Sequence, residues 1–161
     1  MKNILVVSNE YYTPYFKYNT PTVNYYTKEW IKMGYNVKVI HIRTIYPLFF
    51  YWIASLFTPL VKMILGNYIE TKRNYKDYEY KIDNTHIFSL PVFKLIPHGK
   101  YQKKSLDNLL DKILSINKLN NFIPDAVIGH FYNPQLELVS KLKYFYPQVR
   151  TSVVWHESPN L

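Results

Sequence analysis

Cysteine is absent from all 161 residues. That excludes a disulfide framework and any thiolate-ligated metal centre, and it suits a reducing compartment. Glycine is almost as rare, with four residues and none before Gly34, which argues against a glycine-dense phosphate cradle. The chain has no GxSxG, Walker or HExxH pattern, and His41, His86, His98, His130 and His156 show no metal-ligand spacing. Neither a metal nor a resident cofactor is therefore expected. The amino terminus reaches Glu10 after an apolar run too short for a signal peptide. No repeat stands out, and no stretch is polar enough to predict disorder. The expected location is cytoplasmic.

The chain does have tyrosine, at 17 residues, and a formal net charge of +9. A positive balance attracts an anionic partner: a membrane face, a nucleic acid or a phosphorylated substrate. Nucleic acid is the least favoured of these, because no recognition-helix pattern or RNP-like strand accompanies the charge. The length fits one domain, or one lobe of a larger protein, with room for a sizeable core.

The first forty residues specify the fold class. An apolar run at Ile4 to Val7 leads through Ser8-Asn9-Glu10 into a helical pattern from about Thr22 to Met33, with Val23, Tyr26, Trp30 and Met33 on one face. Gly34 supplies the left-handed helix stop, and a second apolar run, Val37 to Ile42, follows at once. Strand, helix and strand in this order make a parallel βαβ unit, which binds ligands at the carboxyl ends of its strands. Further strands are predicted at Tyr78 to Ile82, Thr85 to Leu90, Ala126 to Gly129 and Val149 to Trp155. Two more helices are predicted, one capped by Ser105 with the stripe Leu106, Leu109, Leu110, Ile113 and Leu114. The other is capped by Asn133 and carries Leu138, Val139, Leu142 and Phe145. The expected architecture is an α/β, Rossmann-like three-layer domain with a mainly parallel sheet.

Thr44 to Val61 is a run of eighteen residues without a charge. Pro47 and Pro59 break it, and its aromatics, including Phe49, Phe50, Trp52 and Phe57, are of the type that favours the membrane interface. A basic stretch follows, from Lys62 to Lys104. Aromatics beside lysines form a two-signal peripheral contact with an anionic bilayer. A buried apolar helix with a solvated basic surface explains the same residues.

Three predicted strand ends place polar groups on one rim: Ser8-Asn9-Glu10, His130 and His156-Glu157. A ligand crevice forms where such ends converge. Taken together, Ile-Leu-Val-Val-Ser8-Asn-Glu-Tyr-Tyr-Thr-Pro14, Lys32-Met-Gly34-Tyr-Asn-Val37, Pro124-Asp-Ala-Val-Ile-Gly-His130 and Ser152-Val-Val-Trp-His156-Glu resemble the amino-terminal half of a family 4 glycosyltransferase.

The resemblance implies one lobe of a GT-B fold and a retaining transfer from a nucleotide-sugar to a glycan or glycolipid acceptor in cell-surface polysaccharide assembly. It implies His156 near the transferred sugar as the catalytic candidate. Ser8, Asn9, Glu10, Tyr11, His130 and Glu157 are implied on the acceptor side, with Tyr11, Tyr12 and Phe131 available to stack on sugar faces. Where the family has a Gly-Gly pair near the donor diphosphate, this chain has Lys17-Tyr18-Asn19-Thr20, so Lys17 is the donor-phosphate candidate. The family's donor-binding lobe is absent after Leu161. Residues 1–161 are therefore expected to be an acceptor-binding lobe, itself incomplete and inactive alone, located peripherally at the inner face of the cytoplasmic membrane. A non-catalytic Rossmann-type module that associates with membranes or partner proteins is the alternative.

Overall fold

A computed structural model describes residues 2–12, 21–57, 74–96, 99–131 and 134–155. Among the described residues six strands form one sheet: β1 (Asn3–Ser8), β2 (Asn36–Ile45), β3 (Tyr78–Ile82), β4 (Thr85–Phe93), β5 (Ala126–His130) and β6 (Arg150–Val154). Their order is β3-β4-β2-β1-β5-β6, with β3 antiparallel to β4 and every other pair parallel. The helices among the described residues are α1 (Thr22–Lys32), α2 (Leu48–Leu56), α3 (Lys103–Leu119) and α4 (Gln135–Phe145). The fold is thus α/β, a mostly parallel sheet flanked by helices, compatible with a Rossmann-like arrangement.

Alternation along the strands divides the core in two. Leu5, Val7, Ile40, Ile42, Leu90 and Val127 meet the leucine stripe of α3 and Leu138, Val139 and Leu142 of α4. Ile4, Val6, Val37, Val39 and Ile87 face α1. β1 is apolar on both faces from Ile4 to Val7, as a strand covered from two sides must be, while β2 adds buried Lys38, His41 and Arg43 to its apolar residues.

The boundaries differ from expectation where a tertiary contact outweighs a local signal. α1 does not bury Val23, Tyr26, Trp30 and Met33 as a stripe. Its buried residues are Val23, Asn24 and Thr27, while Tyr26 and Met33 are exposed. The rotation is explained by Tyr11, whose ring is fully buried and whose hydroxyl lies 3.0 Å from Thr27 Oγ1 and donates to Asn24 Oδ1 at 3.2 Å. A buried phenol needs a polar partner, and α1 turns its polar residues inward to supply it. α3 starts at Lys103, so Ser105 lies inside the helix and Gln102 takes the cap position. Phe145 is half exposed rather than on the buried face of α4. The expected cap Asn133 lies outside the described residues.

Strand lengths create a step in the carboxyl edge. β1 ends at Ser8 in register with His41, but β2 and β4 stay paired four residues further, to Ile45 and Phe93. At about 3.3 Å per residue the step is about 13 Å high. Its top is closed by the Thr44 Oγ1 to Tyr101 Oη contact at 2.6 Å and by Lys94 N–H donating to the Ile45 carbonyl at 2.8 Å. On the lower side, Gly129 lets α4 pack tightly on β5. A Cβ there would stand 2.9 Å from Gln135 Cβ and 3.1 Å from Val139 Cγ2. Gly129→Ala is therefore expected to destabilise the fold by about 1–3 kcal/mol, the usual cost of overpacking, as read from the midpoint of urea unfolding.

Candidate functional site

The sheet order reverses direction at β1. From it the chain proceeds outward through β2 and β4, then returns to β5 on the other side. This switch point, at the carboxyl ends of β1 and β5, is where a doubly wound sheet opens a crevice. Parallel register puts His130, Ser8, His41 and Ser89 side by side, at one level and on the face that α1 covers.

Most of that polar row is structural. Ser8 is fully buried; its Oγ donates to the Glu10 carbonyl at 2.7 Å and accepts from the Glu10 N–H at 3.2 Å. The hydroxyl thus closes a tight turn at the end of β1. Tyr11 is in the core, as described above. His130 is fully buried, its ring 5.6 Å from Tyr26 and 6.3 Å from Trp30. Ser8, Tyr11 and His130, expected on an acceptor surface, thus sit beneath the rim in the fold as it stands. Tyr12 is exposed and Phe131 half buried against the α1 cluster. His156, Glu157 and Lys17 lie outside the described residues.

Asn9 and Glu10 do reach the rim. Asn9 Oδ1 accepts from Gln135 Nε2 at 3.0 Å, linking the end of β1 to the first turn of α4. Gln135 is fully buried, and its Oε1 has no hydrogen-bond partner among the described residues. Neither Gln135 nor this bridge figured in the sequence reading. The signal was the place of Gln135 directly after the Asn133-Pro134 helix start. Phe131, which leaves β5 at the same level, has φ of +69°. Bulky residues seldom adopt that conformation, and such strain concentrates where a chain positions function.

Burial controls the charges. It raises the Glu10 carboxyl above its ordinary value. His41 is pushed down to about 3, first by burial, then by the Arg43 cation, against a hydrogen bond to the Asn9 backbone that acts the other way. His41 is thus a neutral clamp that holds the β1 loop to β2. Arg43 is also buried: Nε donates to Ser89 Oγ at 2.7 Å, and its terminal nitrogens donate to the Asn74 and Lys76 carbonyls at 3.0 and 2.5 Å. No group of metal-ligating side chains occurs among the described residues. The resulting arrangement is a polar strand-end cluster with an amide bridge and a partly desolvated carboxyl.

α2 crowns the step on the same edge. Phe49, Trp52 and Phe57 are exposed, Trp52 at 67%, whereas Phe50 is half buried and stacked on Phe49 at 4.3 Å. No helix among the described residues is long and apolar enough to cross a membrane. Comparison with protein-family models, curated proteins and solved structures finds no match to the chain.

Two pH effects of opposite sign follow. His41 titrates near 6.5 when unfolded and about 3 when folded, so stability is held above pH 6.5 and lost as pH falls towards 3. Relative to His41→Gln, the wild type is expected to lose up to about 1.4 kcal/mol per pH unit between those limits, measured by urea unfolding at several pH values. Coincident profiles would refute the neutral burial of His41. The raised carboxyl of Glu10 favours the folded state when protonated, and that contribution is lost as pH rises through the folded value. Glu10→Gln is expected to raise Tm at neutral pH, with the gain disappearing in acid. A lowered Tm at neutral pH would mean that the carboxylate has a stabilising partner.

Proposed function

We propose that this chain is the acceptor-binding lobe of a glycosyltransferase that acts on a glycan or glycolipid at a membrane surface. The observation that carries the proposal is one of placement: α2, with its exposed aromatics, stands on the same sheet edge as the Asn9–Gln135 bridge, where the switch point would open a crevice. A membrane-docked α2 would bring that crevice close to the headgroups, where a lipid-linked sugar is presented. The net charge of +9 favours an anionic leaflet. Asn9 and Glu10, which reach the rim, bring amide and carboxyl groups, the functional groups that recognise sugar hydroxyls, and buried Gln135 holds Asn9 in place. A nucleotide-sugar donor, with His156 as the catalytic candidate and Lys17 beside the donor phosphate, belongs to the same proposal, as does peripheral attachment at the inner membrane face.

The burial of Ser8, Tyr11 and His130 favours a second reading, a non-catalytic Rossmann-type binding module at the same surface. Sugar turnover by the chain together with a donor-binding lobe separates the two.

The first test is vesicle flotation. Binding to anionic vesicles is expected to fall by at least about tenfold, or about 1.4 kcal/mol, when Phe49, Trp52 and Phe57 are replaced by Ser, and to weaken in high salt without vanishing. No binding by the wild type, or none lost in the variant, removes the membrane half. The second is NMR titration with lipid-linked oligosaccharide in micelles. Shifts are expected at the amides of Asn9, Glu10 and Gln135, and no shift there removes the acceptor half.

A further inference from the structure

The opposite end of the sheet contains a cavity that the carboxyl-edge chemistry does not use. It has a volume of about 400 Å³ and opens between the end of α1 and the amino ends of β1, β5 and β6. That size is typical of small-ligand sites. The way α1 ends builds its aromatic wall. Gly34 adopts φ of +86°, so that its N–H donates to the Ile31 carbonyl at 2.9 Å and the Tyr35 N–H donates to the Trp30 carbonyl at 3.0 Å. This double closure turns Tyr35 back towards Trp30. Both residues line the cavity, each partly buried against the α1 cluster, with the Trp30 ring also stacked on Tyr26 at 5.9 Å. Aromatic faces held this way accept a flat partner in offset or edge-to-face contact.

The charge at the cavity is set by which groups already have partners. Asp125, the one carboxylate in the lining, accepts the Asn3 N–H at 2.7 Å through Oδ2. The Trp30 and Ile31 carbonyls, which would make the helix end repel an anion, are taken up by the Gly34 and Tyr35 amides. Lys2 and Arg150 also line the cavity, and neither side chain makes an ion pair among the described residues. Arg150 is in register with Ala126, and Ala126 with Ile4, so its side chain falls on the α1 face. Lys2, two residues before Ile4, follows the same alternation.

We propose that this cavity binds a small ligand carrying a planar aromatic ring and an anionic group, the ring against Trp30 and Tyr35 and the anion on Lys2 and Arg150. A guanidinium fork matches both carboxylate and phosphate. The site lies at the amino edge of the sheet and is independent of the acceptor crevice, so ligand binding there is a separate property of the fold.

Isothermal titration of the whole chain with phenyl phosphate is the test, with inorganic phosphate, phenol and benzoate as comparison ligands. Phenyl phosphate is expected to bind saturably and at least about tenfold more tightly than either phosphate or phenol. Arg150→Gln and Lys2→Gln should each weaken it by about fivefold or more, with Tm unchanged, because Lys2 and Arg150 are exposed. Benzoate binding as tightly as phenyl phosphate would make the natural anion a carboxylate, and weaker benzoate binding a phosphate. Absence of saturable binding at millimolar concentration overturns the proposal. So does inorganic phosphate binding as well as phenyl phosphate, or affinity unchanged in both charge variants.

Discussion

β1 is paired along both of its edges, to β2 from Asn3 to Ser8 and to β5 from Ile4 to Ser8. Its peptide groups are satisfied without water, so the strand can bury Ile4, Leu5, Val6 and Val7 against two helical layers at once. The switch point exists because the chain first builds outward from β1 on one side, through β2 and β4, and then crosses over to place β5 on the other. The chain leaves the sheet there at Ser8, whose hydroxyl fixes the turn that points Asn9 towards α4 and Glu10 towards the rim. Shifting the register of β1 by one residue would turn its apolar side chains over and dismantle the crevice with the core.

Much of the fold was legible because its signals are local. The apolar runs, the Gly34 stop and the leucine stripe of α3 are periodic patterns whose meaning does not depend on distant residues, and the elements formed where they pointed. The misread features depend on partners far along the chain. The apolar positions of α1 suggested one buried face, but Tyr11 selected another by requiring hydrogen-bond partners. His130 and Ser8 were read as rim groups because they end strands. Their register places them under α1 instead, and register across a sheet is not written in either strand alone. The Asn9–Gln135 bridge spans 126 residues and left only a helix-start signal near Gln135.

The excess of positive charge is not all surface. Lys38 is buried, with its ammonium 4.6 Å from the centre of the Phe122 ring, and burial pushes its pKa down. Arg43 is buried over Tyr78 at 4.5 Å, and its donors hold the segment that enters β3. These cations stay inside by exchanging water for ring faces and carbonyl oxygens. Being buried, they contribute little to attraction at the surface. The charge available to a membrane or ligand is therefore smaller than the sequence total suggests.

The turn between β3 and β4 bears on the order in which these parts come into being. Asp83 and Asn84 both have positive φ, at 46° and 68°, the mirror-image turn that matches strand twist. A two-residue hairpin of this kind closes on a microsecond scale, with little chain to gather. By contrast, the Asn3 N–H meets Asp125 across 122 residues, a closure that comes late in any search dominated by loop entropy. During synthesis β1 must therefore wait, with one edge unpaired, until the chain has been made as far as β5. In that interval Ile4 to Val7 present the segment most open to mispairing with another nascent chain.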